Sequence, residues 1–302
     1  MKSDLSIVIR TFNSAKTLKR LLGTFSAKFF KELIIVDSGS SDNTLTIASE
    51  FKAKIVSLSE PFHYSKSLNK GFSVSTGSWV LVISSHCIPL NENFLEKIFS
   101  FISSAPSDCA VGYGLVGVSP PKLKAPLIIG NSQSFQHGLF SPGGNGLAVY
   151  RKSFWEEHPF SEIIDTAEDL EWFLWAMKTG LTARHIPEAT AIYLNQGGCL
   201  YMFRKGWLEV RHFRMLVPAS RKSCGSALIS LAVSCAYYLW LACCFKISLF
   251  TLLSQLAHSL GSFWGDLFFR SDLWIKRDFR LKMFRQNTLT NLLFLTFARY
   301  AV

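Results

Sequence analysis

The 302-residue sequence has few acidic residues in its last third and no regular spacing among its cysteines. Residues 202–302 carry 4 Asp and Glu against 14 Lys and Arg, a net charge of +10, whereas residues 1–201 carry 17 against 18. The seven cysteines include no CxxC pair, which argues against a structural zinc site. The start MKSDLSIVIR lacks the apolar core of a signal peptide, so we expect reduced cysteines and a cytoplasmic location.

A buried strand that ends in an aspartate is the most informative local pattern. The uninterrupted apolar run Leu33 to Val36 is typical of a central parallel strand that is covered on both faces. Asp37 follows directly, small residues then form a turn, and Asp42 is placed to cap a helix over residues 43–51. Because ligands of open α/β sheets bind at the carboxyl ends of strands, we expect Asp37 to face a ligand.

The same layout occurs about twenty residues earlier. The apolar strand Leu5 to Ile9 leads into a polar loop that contains Thr11 and Asn13, and helical spacing follows. Ordinary turn and N-cap chemistry explains either loop alone. It does not require a carboxylate at one strand end and a polar loop at its neighbour, so the pair together favours a binding site.

Strands and helices alternate over the first hundred residues, which predicts a doubly wound, mostly parallel sheet flanked by helices. The predicted strands are 5–9, 33–36, 54–57 and 79–84, and the predicted helices are 15–25, 43–51, 65–75 and a fourth capped by Asn91. The pattern then becomes less regular, with strands at 110–118, 146–150 and 183–193, the last broken at Pro187, and a helix at 167–178. We place a domain boundary near residue 200, so that 1–200 and 201–302 form separate regions.

Three further segments carry side chains that are suited to chemistry. Ser85 and His86 follow the fourth strand, in the same row of strand ends as the aspartate above. Glu168 and Asp169 form an acidic pair, although acids at this point are also typical of a capping box at a helix start. The loop 142–146 permits close backbone approach to a ligand, and it equally fits a turn between strands.

Taken in order, these motifs resemble the family-2 glycosyltransferases with the GT-A fold, and within them the rhamnosyltransferase-like branch. The segments that carry the resemblance are LSIVIRTFN (5–13), VDSGSSDNT (36–44), FHYSKSLNKG (62–71), SSHCIP (84–89), GGNGLAVYRKSFW (143–155) and TAEDLEW (166–172). The resemblance covers roughly residues 4 to 210. Its strength lies in the ordered set rather than in any single motif.

The resemblance implies an inverting transfer of a sugar from a nucleotide diphosphate donor to an acceptor hydroxyl. Such a reaction needs a nucleotide cradle, charge stabilisation on the leaving diphosphate and a base. By their match to the family's motifs, the donor-binding residues are Thr11, Asn13, Asp37, Lys66, Asn69, Ser85 and His86. Asp169 matches the general base, with Glu168 beside it, and Gly144 and Asn145 match a loop that faces the acceptor.

The sequence departs from the family at the metal-binding positions. The family commonly has an Asp-x-Asp-like acid where this chain has Ser85 and His86, and the late histidine of that site is absent from residues 191–196. Mg²⁺ and Mn²⁺ prefer oxygen ligands, so His86 among serines is a poor site. The sequence therefore leaves open whether Mg²⁺ or Mn²⁺ is a cofactor.

The basic C-terminal region contains two uncharged runs. Residues 223–245 are long enough as a helix to cross a hydrocarbon core of about 30 Å, and residues 247–265 have polar side chains along one face. Basic residues flank the pair: Arg204, Lys205, Arg211, Arg214, Arg221 and Lys222 before it, and Arg270, Lys276, Arg277, Arg280, Lys282 and Arg285 after it. Three arrangements remain open: helices that lie in or re-enter the membrane interface, a spanning hairpin, and a buried helical subdomain.

Together these patterns predict a cytoplasmic glycosyltransferase at the inner face of the cell membrane. We expect it to use a nucleotide-sugar donor and a saccharide or lipid-linked acceptor, and to contact anionic lipid. Nucleic acid is not an expected partner, because the cations flank apolar runs rather than an aromatic-lined groove. The alternative is a catalytically silent relative that binds nucleotide or saccharide and serves as a membrane-docked assembly partner.

Overall fold

A computed structural model of the protein describes residues 4–58, 62–117, 128–129, 144–164, 166–194, 197–216, 224–245 and 249–267. Within these residues one nine-stranded sheet, flanked by helices, confirms the predicted α/β class. The strands are β1 (Leu5–Thr11), β2 (Glu32–Asp37), β3 (Lys54–Ser57), β4 (Trp79–Ile83), β5 (Cys87–Pro89), β6 (Cys109–Gly117), β7 (Ile128–Ile129), β8 (Leu147–Arg151) and β9 (Thr182–Tyr193). Their order is β3-β2-β1-β4-β8-β6-β9-β5, and β7 pairs with β9.

The helices follow the chain around this sheet. They are α1 (Ala15–Leu22), α2 (Thr44–Glu50), α3 (Tyr64–Val74), α4 (Phe94–Ser104), α5 (Lys152–Glu157), α6 (Glu168–Lys178), α7 (Cys199–Leu216), α8 (Cys224–Phe245) and α9 (Leu249–Leu267). A short 3₁₀ helix, Ala27–Phe29, precedes β2.

The first four strands form the parallel half of the sheet, as the sequence predicts. β1 pairs in parallel with both β2 and β4, and β2 pairs in parallel with β3. Successive residues of β1 point to opposite faces, so Ile7 and Ile9 pack under α1, α2 and α4, while Val8 packs under α3 and α6. The parallel pairing brings the ends of β1 and β2 together, with Thr11 opposite Asp37.

The other half of the sheet is mixed in strand direction. β8 is antiparallel to both β4 and β6, and β5 is antiparallel to β9, whereas β6 and β9 are parallel. Apolar periodicity identifies a buried strand but not the direction of its partner. The sequence of this half therefore gave no reliable signal for the direction of its strands.

Two local predictions were wrong. β9 continues through Pro187, although its pairing with β6 shifts register there: Tyr113 pairs with His185 and Leu115 with Thr190, so the extra residues lie on β9. Helix α4 begins at Phe94 rather than at Asn91, whose side chain instead donates to the Glu188 carbonyl at 3.2 Å.

Helix α9 has its polar face buried and its apolar face exposed. Ser254, Gln255 and Ser259 are buried, and the His258 ring lies 2.9 Å from Glu209 on α7. The exposed large side chains of α9 are Leu249, Phe250, Leu253 and Leu260, and those of α8 are Leu228, Ile229, Val233, Tyr237, Leu239 and Trp240. Small residues allow this packing, since a Cβ at Gly206 or Gly261 would collide with the backbone of the facing helix.

Helices α7 to α9 belong to the same compact unit as the sheet, which extends to Leu267. The predicted boundary near residue 200 stays a prediction. Across the described ranges, no helix has both the length and the hydropathy that crossing a membrane requires. The basic flanks at Arg221 and Lys222 and at residues 270–285 lie outside the described residues.

Candidate functional site

The Asp37 carboxylate is buried and organises the loop that follows β2. It accepts hydrogen bonds from the Thr11 hydroxyl at 2.7 Å, the Ser40 hydroxyl at 2.6 Å, and the backbone N–H groups of Gly39 and Ser40 at 3.0 and 2.8 Å. Only 1% of Asp37 is exposed. Its oxygens are thus hydrogen-bonded by its own loop, and its contact with a ligand stays a prediction.

Asn13 joins the first loop to the second. Its backbone has a φ of 49°, a left-handed conformation that Asn tolerates better than most residues. The Asn13 side-chain oxygen accepts a hydrogen bond from the Ser41 N–H at 2.8 Å. The backbone N–H of Asn13 donates to the Ser40 hydroxyl at 2.8 Å. The Ser14 and Ser85 hydroxyls lie 2.9 Å apart. The ends of β1, β2 and β4 are thus hydrogen-bonded into one platform.

His86 lies at the end of β4 with its ring against Tyr193. Its Nε2 lies 3.1 Å from the Ser84 hydroxyl, and the two rings meet edge to face at 4.7 Å. Burial, together with the positive charges of Lys205 and Arg10, lowers the pKa of His86 to about 4. The imidazole is therefore neutral at physiological pH.

Glu168 is the buried member of the acidic pair. Its Oε1 accepts from the Arg10 guanidinium at 3.1 Å and from the Asn145 side-chain amide at 3.0 Å, and the residue is 3% exposed. Asp169 is partly exposed, and its carboxylate accepts the N–H groups of Asn145 at 2.9 Å and Leu170 at 2.8 Å. Ala167, the residue before this helix, has no side chain that could cap it. The helix therefore does not begin with the capping box that the sequence left open.

The loop before β8 contacts both carboxylates of the acidic pair through Asn145. The Tyr150 hydroxyl donates to the Asn145 side-chain oxygen at 2.8 Å, which turns the amide nitrogen towards Glu168. A Cβ on Gly144 would lie 2.9 Å from Asp169 Oδ2, so only glycine fits there without displacement. Ala167 adopts a φ of 67°, an unfavourable conformation for alanine that often marks a functional site. The predicted acceptor loop and acidic pair are therefore adjacent.

The two carboxylates differ in electrostatic environment. Burial raises the pKa of Asp169, and the neighbouring Glu168 carboxylate raises it further, while the two N–H groups and Arg10 oppose the shift. Glu168 is in direct contact with the Arg10 guanidinium, at 3.1 Å. This arrangement leaves Asp169 as the group of the pair that is suited to exchange a proton near neutral pH.

Asn69 was expected to lie against the donor, which stays a prediction, and the structure shows its side chain hydrogen-bonded within the protein. Its amide nitrogen donates to the Phe160 carbonyl and to Glu162, both at 2.9 Å, while its oxygen accepts from Trp155 at 3.1 Å and the Phe160 N–H at 3.0 Å. All four of its hydrogen-bonding positions are used within the protein. Lys66 is half-buried in the first turn of α3, and its contact with the donor stays a prediction.

The predicted metal position offers a poor set of donors. The end of β4 provides two serine hydroxyls and the neutral His86 ring, whose Nε2 already contacts Ser84, and the charges of Arg10 and Lys205 act on the same ring. Hard divalent cations favour carboxylate oxygens, and nearby cations repel them. Among the described residues, no three His, Cys, Asp or Glu side chains form a metal-binding cluster. The side chains present do not fit Mg²⁺ or Mn²⁺ well.

Sequence reasoning missed three residues of this site. Arg10 was visible as a charged residue at the end of a buried strand, a pattern that calls for a buried partner. Tyr150 gave no signal, because a tyrosine in a strand is ordinarily a packing residue. Lys205 is separated from the first strand by almost two hundred residues and was counted only among the basic residues of the C-terminal region.

Comparison with known proteins relates part of the chain to glycosyltransferases. Residues 6–140 match the family model described as glycosyl transferase family 2. A PGL/p-HBAD biosynthesis glycosyltransferase from Mycobacterium tuberculosis is 30% identical over 115 residues, which cover 35% of this chain and 45% of that protein. The chain spans less than half the length of the curated relatives that it matches.

Solved structures show the same fold. The mannosyltransferase PcManGT from Pyrobaculum calidifontis, in complex with GDP-Man and Mn²⁺, has a TM-score of 0.59 at 13% identity and covers 89% of this chain and 88% of its own. Glucosyl-3-phosphoglycerate synthase from Mycobacterium tuberculosis, in complex with phosphoglyceric acid, has a TM-score of 0.55 at 14% identity, over 71% of this chain and 78% of its own. The rhamnosyltransferase-like branch is not specifically supported by these relatives. Residues 6–140 therefore resemble glycosyl transferase family 2, and the fold of the described residues resembles that of solved GT-A structures.

Proposed function

We propose that the protein transfers a sugar, with inversion, from a nucleotide diphosphate donor to a hydroxyl of a saccharide or lipid-linked acceptor. One observation carries this proposal. The partly exposed Asp169 carboxylate, with its raised pKa, is held by backbone N–H groups next to the glycine-containing loop and close to the row of strand ends. A base at that position is what a single displacement needs.

In the proposed step, the acceptor oxygen attacks the anomeric carbon while the bond from that carbon to the diphosphate oxygen breaks. The diphosphate leaves with the bonding electron pair, and the acceptor proton passes to Asp169. Both carboxylate oxygens keep a lone pair beyond the N–H groups they accept, so Asp169 has room for this proton. Asn145 and Arg10 hold Glu168 in place, which fixes the start of α6 and hence the position of the base.

The donor is assigned to the platform formed by the ends of β1, β2 and β4. Structural neighbours were solved with GDP-Man and with UDP-glucose, both nucleotide diphosphate sugars. The Phe12 ring is 56% exposed beside Thr11 and Asn13, which offers an aromatic face to a nucleotide base. Buried Asp37 supports donor binding indirectly by holding the loop in shape.

Nucleotide sugars screened for thermal stabilisation test donor binding, since a ligand that binds only the native state raises the melting temperature. A hit is then tested for transfer to saccharide and lipid-linked acceptors, with the anomeric configuration of the product read by NMR. Stabilisation combined with transfer and inversion supports the proposal. Stabilisation without transfer to any acceptor would favour the catalytically silent alternative, and a retained configuration would contradict the assigned step.

We further propose that the acceptor is reached at the cytoplasmic surface of a membrane, on which α8 and α9 dock. Ten large apolar side chains of these helices are exposed, while the polar side chains of α9 are packed against α7. A soluble helix ordinarily has the opposite orientation. Residues 202–302 add a net charge of +10, which attracts anionic lipid by about 1 kcal/mol per basic residue near the surface.

Flotation of the full chain with anionic vesicles at low salt tests this docking. Ile229→Asp with Val233→Asp should reduce the bound fraction strongly without loss of folding, because these side chains are 66% and 64% exposed. Ile163→Asp is the matched control, since Ile163 is 88% exposed but lies outside α8 and α9. Equal binding of wild type and the double variant, both folded, would contradict the assignment.

A further inference from the structure

Helix α7 brings a lysine to the strand end at which a metal-binding acid would be expected. Lys205 Nζ lies 3.5 Å from the Tyr193 hydroxyl and 5.1 Å from the centre of the same ring. Tyr193 in turn packs edge to face on His86, and its Cα pairs with that of Cys87 across the sheet. Lys205 therefore reaches the end of β4 through one tyrosine.

The ammonium group of Lys205 has donors left for a ligand. Its ion pair with Glu209 is long, at 3.7 Å, and Glu209 is engaged more closely by His258 at 2.9 Å. The two polar contacts of Lys205, with the Tyr193 hydroxyl at 3.5 Å and with Glu209 at 3.7 Å, are longer than the distance of about 2.8 Å typical of a strong hydrogen bond from an ammonium. Its side chain is 28% exposed, so a ligand can approach it.

Arg10, in β1, supplies a second positive charge, which acts on His86. Its guanidinium lies 4.9 Å from the centre of the Tyr64 ring and donates to the Tyr64 carbonyl at 3.2 Å. The charges of both Arg10 and Lys205 act on Tyr64 and on His86. The two cations thus come from α7 and from β1, and both act electrostatically on His86 beside the end of β4.

We propose that Lys205, with Arg10, binds the diphosphate of the donor and provides the charge stabilisation for which a divalent metal would otherwise be needed. This inference rests on the proposed function. As the bond to the sugar breaks, negative charge grows on the β-phosphate, and a fixed ammonium at hydrogen-bonding distance stabilises it without reorganisation. The serines and histidine at the end of β4 then act as neutral hydrogen-bonding groups rather than as metal ligands.

Calorimetric titration of the full chain with UDP and UMP, and with GDP and GMP, in excess EDTA and again with Mn²⁺, tests the inference. In EDTA we expect the matching diphosphate to bind more tightly than its monophosphate. Lys205→Met should weaken diphosphate binding by about tenfold or more and leave monophosphate binding within about threefold. Lys205→Arg should retain the preference, and Lys178→Met, which removes an exposed lysine at the end of α6, should change neither affinity.

Each other outcome has a distinct meaning. Diphosphate binding that appears only with Mn²⁺, or that is unchanged in a folded Lys205→Met variant, would overturn this inference and leave the proposed function standing. Failure of both UDP and GDP to bind, with and without Mn²⁺, would overturn the two together. A melting temperature for each variant shows that it is folded.

Discussion

The Arg10 guanidinium lies 3.1 Å from the Glu168 carboxylate and so ties the first strand to the helix that begins with the acidic pair. The two side chains are only 10% and 4% exposed. A buried ion pair is costly to break from one side, because the remaining charge loses its partner without regaining water. The position of the proposed base therefore depends on a contact between segments 158 residues apart in the chain.

Arg10→Leu should lower the free energy of unfolding by about 3–5 kcal/mol, since Glu168 is left buried without its counter-charge. Chemical denaturation measures this loss. Lys19→Leu is the control, because the Lys19 to Glu50 pair is 4.0 Å long and well exposed, and its removal should cost less than about 1 kcal/mol. Equal losses of unfolding free energy in the two variants would show that the buried Arg10 pair stabilises the protein no more than an exposed ion pair does.

Asp169→Asn should reduce the transfer rate by about 10²- to 10⁴-fold while donor binding survives, because the amide keeps the shape of the side chain but cannot take the proton. Rate assays and calorimetry of the folded variant separate the two effects. Turnover within about threefold of wild type would assign Asp169 to a purely structural role at the start of α6.

The pH dependence follows from the raised pKa of Asp169. A protonated base cannot accept the acceptor proton, so the transfer rate should rise with pH through a value well above the ordinary carboxyl pKa of about 4. Over the same interval the folded protein holds a proton that the unfolded chain has released, so stability should fall as pH rises. Asp169→Asn should remove both dependences. An acid limb at about pH 4 in wild type would contradict the assignment.

Asp37→Ala should cost about 3 kcal/mol of stability and weaken donor binding at least about tenfold, because its carboxylate accepts hydrogen bonds from Thr11, Gly39 and Ser40. Thr11→Val removes one of these bonds and should cost about 1 kcal/mol. Denaturation and calorimetry measure the two effects. Unchanged affinity in a stable Asp37→Ala variant would show that the loop is not part of the donor site.

Gly144→Ala should slow transfer by about 10- to 100-fold without loss of stability, since the added methyl group displaces the Asp169 carboxylate at 2.9 Å. Gly198→Ala is the control, because a Cβ at Gly198 has open space around it. A full rate in Gly144→Ala would mean that Asp169 tolerates displacement, which a positioned base does not.

The sequence by itself determined the local structure of the first half of the chain. Continuous apolar runs identified β1, β2 and β4, and the polar residues that end β1 and β2 marked the edge at which the site lies. These features depend on neighbours in the chain, so periodicity and turn chemistry were sufficient to find them. Strand direction in the second half and the continuity of β9 through Pro187 depend on distant partners, and they could not be read in this way.

The tertiary structure decided which polar groups meet. It showed that the Asp37 carboxylate is hydrogen-bonded by its own loop and that the Asn69 side chain is hydrogen-bonded within the protein. It also showed that Arg10 and Lys205, which are far apart in the chain, both act on His86. It also showed that α9 turns its polar face inward. Such contacts follow from folding the whole chain, because hydrogen bonds and charges act over a few ångströms in space whatever the separation in sequence.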